Sequence, residues 1–217
     1  MKYDPIRASV LSVKIIPNIN PDMLLSFKLK PEQRSLGLIT TNLDDVSYTA
    51  LDEATKKADV EVVYARSFYG GAVNANTKLA GEFIGILAGP NPAEIRSGLN
   101  AMIECIENDV CFYSANEDDT ICYYAHTISR TGSYLSKVAN IAEGEAIAYL
   151  IAPPIEAMYA LDAALKAADV KLAAFYGPPT ETNFGGGLLT GSQSACKAAC
   201  DAFKNAVIYV AENPIEY

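Results

Sequence analysis

Two adjacent carboxylates, Asp44 and Asp45, and a third at Glu82 have the strongest claim on chemistry in this 217-residue chain. Carboxylates paired in a cleft can serve as acid and base. They can equally hold a small ammonium ion through charge-assisted hydrogen bonds, with no reaction at all. The plain alternative is a solvated turn, because Asp44-Asp45 follow a short apolar run over 36–40. The usual partners of catalysis are missing. His126 is the single histidine and stands in a strand of aromatic and apolar residues, the setting of a packed side chain. Cys196 and Cys200 are four apart with no further Cys or His nearby, and Cys105, Cys111 and Cys122 lack ligand spacing, so no metal site is expected. Ser192 and Ser194 have no nucleophile elbow, and Gly185-Gly186-Gly187 has neither the lysine nor the helix of a phosphate loop. Nothing assembles a nucleophile, a base and a group to orient them, and no cofactor is implied. The chain reads as a non-enzyme.

Charge narrows the partners. Lys and Arg total 17 against 26 Asp and Glu, a net charge of −9. Such a surface repels a phosphate backbone and concentrates small cations, so nucleic acid is a poor partner. Half the residues are apolar and a fifth charged, the balance of a folded globule. No stretch approaches the roughly 20 apolar residues needed to span a bilayer, and the start MKYDPIRASV lacks an apolar signal core. Five cysteines, an odd number, disfavour a complete disulfide framework. A cytosolic protein with reduced thiols is expected.

The elements that position these residues come in two sets. ALDEATKKADV over 50–60 matches ALDAALKAADV over 160–170 at eight of eleven positions, an offset of 110. The same offset pairs Leu79 and Gly81 with Leu189 and Gly191, and after a five-residue contraction Asn100-Ala101 pairs with Asn205-Ala206. Duplication of an α+β unit explains matches that keep one order. Strands are expected over 9–16, 35–40, 60–68 and 82–88, then again over 121–128, 146–152 and 170–176. Asn91-Pro92-Ala93-Glu94 starts a helix, with Asn91 as cap, Pro92 at the first turn and Glu94 facing back toward the cap. A second helix is expected over 193–211. The boundary is placed at the acidic stretch 116–119, giving units over 1–113 and 114–217. Loops over 67–78 and 177–188 occupy equivalent places, are long for a compact domain, and are rich in Gly, Asn and Thr.

Four segments carry a resemblance: RSLGLITTNLDDVSY, DEATKKADVEVVYARSFYGG, GGGLLTGSQSACKAAC and AGPNPAEIRSGLNAMIE. They resemble the ethanolamine-utilisation shell family EutL, of the tandem, circularly permuted bacterial microcompartment class, and the likeness runs over 6–214. The resemblance implies that each half is a permuted, ferredoxin-like microcompartment domain. It further implies a homotrimeric, pseudohexameric tile that packs with other shell proteins in a microcompartment shell within the cytoplasm. The two loops would line a gated central pore, with Tyr69 and Phe184 as aromatic plugs and Gly70, Gly71, Asn183 and Gly185 beside them. Smaller pores would bind ethanolamine or a similar amine alcohol through Asp45 and Glu82, with Phe112 as an apolar wall, Thr182 as a polar contact, and Asp44 competing with Asp45. An amine-sensing regulatory pair that does not assemble into shells is the alternative.

Overall fold

The computed structural model describes residues 1–69 and 77–216, and Gly70 and Gly71 lie outside them. The described chain forms two compact units. The N-terminal unit takes residues 7–110 and also Gly132–Leu135; the C-terminal unit takes Met1–Ile6, Cys111–Thr131 and the residues from Ser136 onward. The sequence places one cut at 113/114; these compact units divide at 110/111, with residues 1–6 and 132–135 each grouped across that division.

The N-terminal unit contains β2 (Val10–Ile16), α1 (Pro21–Ser26), β3 (Ser35–Thr41), α2 (Asp45–Lys57), β4 (Glu61–Ser67), β5 (Phe83–Gly89) and α3 (Pro92–Glu104), which runs into a π-helical turn at Cys105–Asp109. Its antiparallel sheet has the order β2-β3-β5-β4. β3 and β5 are central, so their sequences SLGLITT and FIGILAG carry no charged residue and are almost wholly buried. Asn91 caps α3, its side chain accepting from the N–H groups of Ala93 and Glu94 at 2.9 and 3.0 Å. Glu94 does not turn back to that cap; its carboxylate accepts from the Asp59 N–H at 2.9 Å, tying α3 to the start of β4.

The C-terminal unit contains β1 (Pro5–Ile6), β6 (Phe112–Ser114), β7 (Cys122–Ile128), β8 (Ala146–Ala152), α5 (Pro154–Ala167), β9 (Val170–Tyr176), β10 (Gly185–Gly191) and α6 (Gln193–Glu212). A short helix α4 (Ser133–Ala139) begins in one unit and ends in the other. The sheet order is β1-β6-β7-β8-β10-β9. Its last four strands reproduce β2-β3-β5-β4 when β7, β8, β9 and β10 are read as the second copies of β2, β3, β4 and β5. The duplication is therefore a duplication of α+β structure, not of composition alone.

β10 had been expected as part of a loop over 177–188, and the loop is in fact shorter. Gly185, expected as a loop residue, is the first residue of this buried strand. Glycines there allow close strand packing: Gly186 has φ +146°, and a Cβ on it would meet the Leu150 carbonyl oxygen at 1.9 Å. The repeat register changes accordingly. β5 and β10 start at 83 and 185, an offset of 102, so Leu189 and Gly191 correspond to Leu87 and Gly89, not to Leu79 and Gly81. The caps of α3 and α6, Asn91 and Ser192, differ by 101. The pairing of Asn100 with Asn205 is therefore about one helical turn out of phase.

One buried charge organises the N-terminal unit. Asp52 on α2 is 0% exposed and accepts hydrogen bonds from the N–H groups of Gly132 and Leu135 at 2.7 and 2.8 Å. The Thr55 hydroxyl accepts from the Ser133 N–H at 3.1 Å, and Lys56 stands 3.5 Å from the Asp52 carboxylate. Gly132 lacks a side chain because a Cβ would sit 2.3 Å from the Thr55 hydroxyl and 2.7 Å from the Asp52 carbonyl. Replacing Asp52 by Ala leaves two buried N–H groups without acceptors, and we expect a loss of about 2–4 kcal/mol in chemical denaturation. Asp52→Asn, which keeps a single acceptor oxygen, should fall between wild type and Asp52→Ala.

Candidate functional site

The acidic residues gather where β3 hands over to α2. Asp44 and Asp45 do not sit in a solvated turn: Asp44 is the cap of α2 and Asp45 its first residue, and both are buried. The Asp44 side chain accepts from the Asp45 N–H at 2.9 Å. The junction is fixed by hydroxyls. The Thr41 and Ser47 hydroxyls lie 2.6 Å apart and 2.9 and 2.7 Å from the Leu43 carbonyl oxygen, so their two protons are shared among these three oxygens. The segment leading into β5 brings Glu82 alongside. Gly81 turns with φ +67°, and the Glu82 N–H then donates to the Thr41 carbonyl at 2.9 Å.

Glu82 is half-buried, and burial first, then the negative charge of Asp44, hold its carboxyl above the ordinary 4.5. The structure thus joins Glu82 electrostatically to Asp44, the residue that sequence ranked behind Asp45. A half-buried carboxylate raised by a neighbouring negative charge is a place that attracts a small cation. The wall beside them is aromatic: the Tyr48 ring stands edge-on to Phe83 at 4.9 Å, and its hydroxyl bonds the Ser67 hydroxyl at 2.8 Å. The hydroxyls of Thr41 and Ser47 and the ring of Tyr48 were missed from sequence. Their signal, the run TNLDDVSY just ahead of the repeated helix, was present but carried no distinctive spacing.

The remaining candidates belong elsewhere. Phe112 is buried in the C-terminal unit, its ring 5.3 Å from Tyr124 and 6.2 Å from Phe184. Phe184 is accordingly half-buried against Phe112 and does not project freely. Thr182 is half-buried in the turn that closes with Thr180 N–H donating to the Phe184 carbonyl at 3.0 Å, and Asn183 there has φ +68°. Tyr69 is exposed. His126 stacks on Tyr124 at 5.8 Å, as a packed residue does. Burial raises the Cys105 and Cys200 thiols to about 12, so neither is a nucleophile near neutrality. A polar cleft of about 580 Å³ opens in the C-terminal unit between Glu145, Asp169, Lys171 and Gln193, and none of the sequence candidates lines it. No helix among the described residues is long and apolar enough to cross a membrane.

The BMC domain family model matches residues 35–116. The chain is similar to the bacterial microcompartment shell protein EutL of Clostridium perfringens (strain 13 / Type A), 70% identical over 217 residues and covering all of both chains. It is 54% identical over 213 residues to the bacterial microcompartment shell protein EutL of Escherichia coli (strain K12), covering 98% of this chain and 97% of that one. Among solved structures, the ethanolamine utilization protein EutL of Leptotrichia buccalis superposes with a TM-score of 0.97 at 68% identity, over the full length of both chains.

The raised Glu82 carboxyl has a definite consequence for stability. The folded chain keeps this proton to higher pH than the unfolded chain does, so the group favours folding below about pH 4 and withdraws that contribution as pH rises through its folded value. Glu82→Gln should therefore raise the melting temperature by about 1–3 °C at pH 7. At pH 4 thermal melts of the two proteins should nearly coincide.

Proposed function

The chain belongs to the EutL family of bacterial microcompartment shell proteins, and on that premise we propose that it forms a trimeric, pseudohexameric tile that holds a small amine at its acidic sites. It is a structural shell component of the ethanolamine-utilisation microcompartment, and its family is structural, not catalytic. The observation that carries the tile is the repeated strand order: two like units per chain give six around a threefold axis. Tyr69 and the segment ending at Phe184 follow equivalent strands, β4 and β9, which supports their meeting at a central pore. Gly70 and Gly71 are assigned to the same pore on the resemblance.

The amine site centres on Asp44 and Glu82, with Asp45 beside them. An ammonium group relieves the repulsion that the Asp44 charge exerts on the Glu82 carboxylate. Phe112 and Thr182 enter as ligand contacts from the resemblance.

Two measurements test this. Light scattering at micromolar concentration should give about 70 kDa, three chains of 23.2 kDa; a stable monomer defeats the tile. Calorimetry with ethanolamine should show binding weakened at least tenfold by Glu82→Gln and by Asp44→Asn. Unchanged affinity in both would remove the acids from the site. Co-assembly with other shell proteins into sheets separates a tile from an amine sensor, which has no reason to pack.

A further inference from the structure

Helices α2 and α5 are copies of one another, yet one face has opposite fates on the two. On α2 the stripe Asp45, Thr49, Asp52 and Lys56 is covered: the first three are buried and Lys56 is half-buried. The cover over its second half is Gly132–Leu135, the start of α4, held by Asp52 and Thr55 as described. The repeat puts Ile155, Tyr159, Asp162 and Lys166 at the same places on α5. Here the stripe is open. Ile155 is 70% and Tyr159 53% exposed, and Asp162 and Lys166 are exposed and bonded to each other at 2.5 Å.

The missing cover can be named from the same repeat. Gly132–Leu135 lie between β7 and β8; the counterpart between β2 and β3 is the start of α1, with its cap Asn20. No residue of α1 is buried, and Leu25 is 78% exposed. Each chain thus carries a helix face lacking the cover its copy has, and a helix start lacking the seat its copy has. Both expose apolar side chains, Ile155 and Tyr159 on one and Met23 and Leu25 on the other.

We propose that the Ile155–Tyr159–Asp162–Lys166 face of α5 is the docking surface for α1 of a second copy of this chain. The contact repeats between chains the grip that α2 exerts on Gly132–Leu135. It is heterologous, since the two surfaces differ, so copies add head to tail and stop only by closing a ring. This rests on the trimer proposed above and adds which surfaces join.

The test is sedimentation velocity on the full chain and three variants: Tyr159→Glu on α5, Leu25→Glu on α1, and Lys57→Glu on the open side of α2 as a control. The expected result is a trimer for wild type and Lys57→Glu. Tyr159→Glu and Leu25→Glu should each need at least tenfold more protein to assemble, with unchanged circular dichroism. A variant that loses its circular dichroism is replaced by Ile155→Lys or Met23→Lys on the same surface. If wild type is a trimer and variants on both surfaces assemble like it, this docking surface is wrong while the tile stands. If wild type is a monomer throughout, the tile itself fails and the proposal falls with it.

Discussion

A carboxylate with no access to water, Asp52, sets the terms for much of the N-terminal unit. Burial alone disfavours its charge and raises its pKa, and the two N–H groups and Lys56 that face it pull the other way. That balance holds only while a segment more than seventy residues downstream stays in place, because the nearest donors are the amides of Gly132 and Leu135. A buried charge of this kind adds little net stability. What it does fix is position: among the described residues the backbone N–H groups bonded to the carboxylate are those of Gly132 and Leu135, and they set where α4 begins.

The consequence is a chain of two copies that are alike in scaffold and unlike in surface. Equivalent strands are central in both sheets, and equivalent helices pack on them through alanine-rich faces, Ala50 and Ala54 on α2 matching Ala160 and Ala164 on α5. The difference lies at positions facing away from the sheets. There α2 keeps a carboxylate and a threonine for the amides of α4, while α5 has an ion pair, a tyrosine and an isoleucine in water. Duplication supplied the core, and divergence of a few outward residues gave each copy its own neighbour.

How far this was legible depended on the kind of interaction. Strands buried on both faces, such as AIAYLIA in β8, announce themselves by composition, and the caps Asn91 and Pro92 by local chemistry. The strand β10 was hidden because its glycines serve close backbone approach, which resembles loop chemistry in one dimension. Within the acid group the choice between Asp44 and Asp45 was illegible. It depends on which residue caps α2 and which lies across from Glu82, a fact about the β3–β5 pairing and the turn at Gly81. The exchange of Gly132–Leu135 between units left no trace in periodicity, since a contact made by backbone amides writes nothing in the side chains that make it.

The Asp52 seat also constrains what genetic change the molecule tolerates. Residues 50–60 and 160–170 match at eight of eleven positions, yet carrying the second stretch into the first would put leucine at Thr55 and erase the acceptor for the Ser133 amide. Homogenising the two halves therefore damages the molecule even where the imported stretch preserves Asp52 itself. Such a penalty would keep twin sequences distinct long after their scaffolds stopped diverging.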